Sequence, residues 1–355
     1  MHAATRPLAD LRLRDEQDFG GKSAALGELL AGGIPVPGGF AISAAAYSAF
    51  LEAAGLRERV DAVLAGLDAD DLGAVESASA ELTAAIGAAN PPELLRAEVL
   101  DRYAEVAAEA GEDDPPVAVR SSALGEDSAE ATFAGQQETY LWVRGPEQLW
   151  AAVQRCWASL HSAPSITYRA RLGDSARTPA MGVAVQRMVD ADVAGVLFTC
   201  NPVSGDPSVV AIDASWGLGL AVVGGEVTPD EWLVSKVTGE VVRGSVNAKL
   251  IEYRADPSGA GTVRVKVPVE RVDPPCLDGE QLAALVRVAR DVERHFGTHQ
   301  DVEWAIDRAG KTYVLQARPV TAVAPRPSGP TGDSALAMVM STLGVKPEAG
   351  SGSGA

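Results

Sequence analysis

The sequence predicts an α+β fold arranged as two lobes, and three observations predict it. Residues 44 to 110 are rich in Ala and Leu with scattered Glu and Arg, which reads as helix throughout. From Met181 the pattern changes to short runs of strand type. Near the end, two alternating runs flank a four-residue turn, the signature of a hairpin. The change of pattern puts the lobe boundary near Gln186 to Val189. The expected division is residues 1–186, residues 187–321 with the hairpin, and a flexible linker and tail over 322–355.

In chain order, a polar start leads to a helix over Ser23 to Ala31, stopped by Gly32-Gly33. Pro35 to Ile42 reads as a turn into a short strand. The helical region follows, then a loop at Gly111 to Pro116 and a strand from Val117 that turns polar at Arg120. Leu149 to Leu172 reads as one or two helices. Strands are expected at Val183 to Val189, Ala194 to Thr199, Ser208 to Asp213, Trp232 to Val242 and Gly261 to Val269. A helix over Gly279 to Phe296 precedes the hairpin.

The 355 residues carry a formal net charge of −18, which argues against a nucleic-acid partner. A phosphate site must then be a local cluster of Arg and Lys. Cys156, Cys200 and Cys276 are far apart and suggest neither zinc nor a disulfide framework. No signal-type segment or bilayer-length apolar run is present, so a cytoplasmic protein with no membrane partner is expected. His2, His161, His295 and His299 form no metal-ligand set and read as structural or exposed.

The hairpin carries the most chemistry. With Arg308-Ala-Gly-Lys as its turn, Asp307 pairs with Thr312, Glu303 faces Gln316 and Asp301 faces Arg318, all on one face. Val302, Trp304, Ile306, Tyr313 and Leu315 are expected on the other face, as core. The polar face suits Mg²⁺ and its phosphates, or is a solvated face with one cross-strand ion pair. Gly20-Gly-Lys-Ser is not a Walker loop, because Glu16 stands where its first Gly belongs. Its glycines suit either a close phosphate approach with Lys22 as the charge, or a plain helix start. Arg120 leaves a core strand and needs an anion, phosphate or carboxylate. The loop hinged on Gly135 either closes over phosphates or simply connects. Gln186-Arg-Met-Val suits a simple strand or an adenine contact.

In their order these segments resemble one family: GGKSAALGEL, IPVPGGFAI, VAVRSSALGEDS, TFAGQQETYL, VAVQRMV, GVLFTCNPVSGD, SWGLG, VTPDEW and DVEWAIDRAGKTYVLQARPVT. They resemble the N-terminal nucleotide-binding domain of phosphoenolpyruvate synthase and pyruvate phosphate dikinase, also found in rifampin phosphotransferase, from about Asp15 to Thr321. The resemblance implies a two-lobed ATP-grasp fold with ATP between the lobes. It implies that Lys22, Arg120 and Arg318 hold phosphates, that Glu303 and Gln316 ligate Mg²⁺, and that Asp301 sits beside them. Gly135, Gln136, Gln137, Glu138 and Thr139 would cover the β- and γ-phosphates. Gln186, Met188 and Val189 would form the adenine hinge. One departure is Leu220, where family members often carry Glu after SWGLG.

The resemblance further implies that ATP is split to AMP and phosphate, with the β-phosphoryl group passing to a histidine carrier. A carrier segment with its reactive His is not found in the sequence, so the expectation is an ATP-cleaving subunit or domain served by a carrier in trans, as in phenylphosphate synthase. A nucleotide-binding regulator without turnover, or a ligase working through an acyl-phosphate, are the alternatives.

Overall fold

The computed structural model describes residues 3–123, 138–171, 180–259 and 261–320. Its strands are β1 (Thr5–Pro7), β2 (Gly39–Ile42), β3 (Val117–Ala123), β4 (Thr139–Val143), β5 (Met181–Arg187), β6 (Ala191–Phe198) and β7 (Val209–Trp216). They continue with β8 (Asp230–Ser235), β9 (Val241–Ser245), β10 (Ile251–Ala255), β11 (Thr262–Lys266), β12 (Gln300–Asp307) and β13 (Thr312–Pro319). One sheet has the order β1-β2-β5-β3-β4 and another the order β13-β12-β6-β7-β8-β9, while β10 and β11 form a separate hairpin. The strand expected over Trp232 to Val242 is therefore two strands, and β1, β4 and β10 were not anticipated.

The helical region expected over 44 to 110 contains four helices, Ala44–Ala53, Arg57–Leu64, Leu72–Ala88 and Glu93–Ala110. Their ends follow local chemistry. Ser43 accepts a hydrogen bond from Ala46 N, Asp71 accepts one from Ala74 N, and Gly111 takes a left-handed conformation at φ 64°. The expected helix over 279 to 296 has a reciprocal cap, with Asp278 accepting from Gln281 N and Gln281 accepting from Asp278 N, and it stops at Gly297.

Alternation along the strands sorts side chains between cores. Phe40, Val119, Val183 and Val185 face Tyr47, Phe50, Leu82, Val99 and Trp157 in a core between the five-stranded sheet and the helices. Val193, Leu197, Val210, Ile212, Val302 and Trp304 face Leu285, Ala289 and Val292 of the Gly279–Phe296 helix. That second core also takes in Leu8, Leu26, Leu29 and Ile34, so the Gly21–Ala31 helix packs against the six-stranded sheet as well as against β3. A small third cluster, Trp142, Val189, Ala191, Ala194, Leu218 and Ala305, lies where the two sheets meet. One ion pair is wholly enclosed: Lys249 Nζ donates to Asp230 Oδ1 at 2.8 Å, and both side chains are fully buried.

Candidate functional site

The β12–β13 hairpin brings Asp301 opposite Arg318 and Glu303 opposite Gln316, as expected. It does so by a different route. Ile306, not Asp307, pairs with Thr312, so the loop is one residue longer on the β12 side. A bulge opposite Glu303/Trp304, with Leu315 as the extra residue, restores the register. The core face of β13 is accordingly Val314 and Ala317. Leu315 and Tyr313, expected in the core, are only partly buried and pack on the third cluster.

Arg120 reaches this hairpin from β3. Alternation sends Val117 and Val119 into the helical core and Arg120 the opposite way. Its Nη1 donates to Glu303 Oε2 at 3.4 Å and to Gln316 Oε1 at 3.2 Å. Arg120 is buried, and among the described residues its Nε has no hydrogen-bond partner. Arg318 donates to Asp301 Oδ2 through Nε at 2.9 Å and Nη2 at 2.8 Å. Burial raises the Asp301 carboxyl above its ordinary pKa. Arg318 opposes that shift without cancelling it, and Glu303 adds to it.

Arg120, Arg318, Glu303 and Gln316 line a cavity of about 540 Å³, and Asp301 is not among the described residues that line it. Glu138 and Thr139 line it too, and the backbone of Glu138 is pinned to Ser121 on β3 by two hydrogen bonds. Gly135, Gln136 and Gln137 lie outside the described residues. At the end of β5, Gln186, Met188 and Val189 line it as well. Gln186 is almost wholly buried and its Nε2 has no partner among the described residues. The backbone N–H groups of Arg187 and Met188 are already given to Gly38 O and Pro116 O. Polar recognition at this end therefore falls on the Gln186 amide more than on those two backbone donors.

Lys22 is buried and donates through Nζ to Ser121 O at 3.1 Å, on the strand that carries Arg120. It is not among the described residues that line the cavity. The first of the glycines before it has a packing reason: a Cβ on Gly20 would lie 2.0 Å from Ser122 O, and its φ is +82°. Ser23 N and Oγ donate to Ser122 Oγ, completing the join between helix and strand. Leu220 lines the cavity beside Leu218 and Val223. Leu220 stood out in the sequence only as a departure from the family pattern, and Ala194, Val223 and Leu315 carry no signal of a shared cavity, because they come from separate elements. Asp213 lies on the same sheet face, across Val196 from Glu303. Burial, with Glu231 opposite, pushes its carboxyl up to about 6.

The profile of the family described as "Pyruvate phosphate dikinase, AMP/ATP-binding domain" matches residues 16–333. The chain belongs to this family. A probable phosphoenolpyruvate synthase of Methanocaldococcus jannaschii is 37% identical over 314 residues, covering 88% of this chain and 26% of that protein. The phosphoenolpyruvate synthase of Pyrococcus furiosus is 34% identical over 383 residues, covering 97% of this chain and 47% of its own length. A rifampicin phosphotransferase of Streptomyces sp is 41% identical over 322 residues, covering 90% of this chain and 36% of the relative. The chain thus spans less than half the length of these curated relatives. A solved D-cycloserine synthetase structure overlaps it loosely, with TM-score 0.32 and 13% identity, covering 88% of this chain and 65% of that one. Among the described residues no helix is long and apolar enough to cross a membrane.

Proposed function

We propose that the cavity binds Mg-ATP between two ATP-grasp lobes, residues 1–186 and 187–321, and cleaves it to AMP and phosphate. The β-phosphoryl group passes to a histidine carrier that serves a small-molecule acceptor. The observation that carries this reading is the convergence of Glu303 Oε2 and Gln316 Oε1 on one cationic nitrogen of Arg120, in the lining of a nucleotide-sized cavity. Two hard oxygen donors aimed at one cationic point are a fitting set for Mg²⁺, which takes few protein ligands and keeps phosphate oxygens in the rest. Bound there, Mg²⁺ would neutralise charge on the phosphates.

The chain's own groups do the remainder. Arg120 and Arg318 would offer guanidinium donors to phosphoryl oxygens as these gain charge, with Lys22, tied to Ser121 O on the Arg120 strand, as the third phosphate-holding cation. Gln186 offers its unpartnered amide to the base, with Met188 and Val189 as apolar wall. No histidine lines the cavity among the described residues. His161 is held by the Tyr47 hydroxyl at 2.6 Å, while His295 and His299 sit beside Glu28 and Glu293.

The test uses ATP labelled at the β-phosphate with a carrier-bearing protein of the same family. Formation of AMP, and an acid-labile, base-stable label on the carrier histidine, are expected. Accumulation of ADP, or direct labelling of a small molecule by this chain alone, would overturn the reading.

A further inference from the structure

A second cavity, of about 490 Å³, shares Arg187, Met188 and Val189 with the first. It is bordered besides by the loop before β3, the end of β4 and the tip of the β12–β13 hairpin, through Pro115, Trp142 and Arg308. The described chain runs unbroken through each of these segments. Their charges are not all alike. Arg144 Nη2 donates to Glu112 Oε1 at 3.1 Å, and Arg308 Nε donates to Asp190 Oδ2 at 2.8 Å. Asp307 Oδ1 accepts from the N–H groups of Ala309 and Lys311. Each acid in the lining thus has its donor. Arg187 is different: its side chain is half-buried and makes no hydrogen bond or ion pair among the described residues. Alternation along β5 puts Gln186 on the side of the first cavity and Arg187 on the opposite side, with Val183 and Val185.

Backbone strain gathers at the same place. Among the described residues only Asp114 and Trp142 take positive φ without being glycine, at 49° and 57°. Asp114 lies in the loop that supplies Glu112 and Pro115, and Trp142 is in the lining itself. A bulge in β4 sets Leu141 and Trp142 opposite the single residue Ala118. The left-handed region is uncommon for a bulky side chain, and residues held there cluster at ligand sites.

We propose that this second cavity binds a small organic anion, an apolar body bearing one carboxylate or phosphate group, with Arg187 as the partner of that group. The proposal is independent of the reaction assigned to the first cavity. A half-buried guanidinium has given up part of its water without gaining a protein acceptor, and its planar fork matches two oxygens of either head group. The lining acids are already hydrogen-bonded, so the uncommitted charge is positive. Pro115, Pro116, Trp142 and Val189 supply apolar surface for the body of the ligand.

Fluorine NMR titration of the full chain with para-fluorobenzoate, para-fluorobenzyl phosphate and the neutral para-fluorobenzamide tests the proposal. At least one anion should bind about tenfold or more tighter than the amide, the scale of a hydrogen bond to a charged group. The better anion identifies the head group. Its binding should slow amide exchange at residues 111–116 and 307–313, which border the second cavity and not the first. Arg187→Met should weaken the anion about tenfold or more and leave the amide within about threefold. Arg187→Lys, which keeps the charge without the fork, should fall between, and urea unfolding shows whether each variant is folded. Anions that bind no tighter than the amide, or as tightly to folded Arg187→Met as to the unaltered chain, would overturn the proposal. So would anion binding that leaves 111–116 and 307–313 unprotected in the unaltered chain, an outcome that needs no variant.

Discussion

Arg120→Met separates a functional role for this arginine from a structural one. The gross attraction between Nη1 and Glu303 Oε2 at 3.4 Å is about 5 kcal/mol at an effective dielectric near 20. Against it stands the desolvation of a guanidinium whose side chain is only 9% exposed, on the order of several kcal/mol. The unpartnered Nε adds about 1–3 kcal/mol more to that cost. These terms offset, so Arg120 is not a net stabiliser of the fold. Methionine keeps most of the buried stem, and Glu303, with 30% of its side chain exposed, can turn to water once alone. The urea midpoint should therefore move by less than about 1.5 kcal/mol in either direction. AMP formation should fall on the order of 10²–10³-fold, the usual cost of one transition-state donor. The paired measurement is urea unfolding by circular dichroism and AMP release with the carrier present. A loss above about 3 kcal/mol, the mark of a broken structural pair, together with AMP release within about threefold of wild type, against the expected loss, would refute the reasoning.

Glu303→Ala or Gln316→Ala should weaken Mg-ATP binding at least about tenfold in calorimetry, the scale of a lost charged contact. The unfolding midpoint should stay close to wild type. Lys249→Met leaves Asp230 charged and sealed from water, so urea unfolding should show a loss of about 3–5 kcal/mol. Asp213 is held above its ordinary pKa, to about 6, so its folded form binds more protons than its unfolded form between about pH 4 and 6. Its contribution to stability therefore falls as pH rises through that window. Asp213→Asn should be more stable than wild type at pH 7.5, by about 1 kcal/mol after allowing for solvent screening, and the difference should vanish near pH 4. If the lobes close on nucleotide, amide exchange at residues 186–190 should slow when Mg-ATP is added, and unchanged exchange there would count against closure.

Much of the fold was legible because its signals are local. The Gly279–Phe296 helix has an apolar stripe, a capping box and a terminal glycine, and the observed ends agree with the expected ones. The hairpin is legible for the same reason. What was not legible depends on distant partners. β10 is a mixed run, Ile251-Glu-Tyr-Arg-Ala, and is a strand because β11 pairs with it. Nothing near Leu8 or Leu26 announces that these residues share a core with Trp304, because that contact joins opposite ends of the chain. The two glycines before Lys22 look like a phosphate loop in sequence, and only the position of Ser122 shows that Gly20 serves a close contact with β3.

The bulge in β13 shows how one departure from regular pairing builds the site. Continued unbroken from Ile306–Thr312, the register would set Glu303 opposite Leu315. Gln316 would then face Val302, on the side of the sheet that packs against the Gly279–Phe296 helix. An extra residue at Leu315 turns the remainder of β13 by one step, so Gln316 comes to face Glu303. It also puts two consecutive side chains, Leu315 and Gln316, on the cavity face, which a regular strand cannot do. One of them is apolar and the other polar. An apolar and a polar part of the lining thus meet within a single dipeptide. Its position is set by backbone pairing rather than by either side chain.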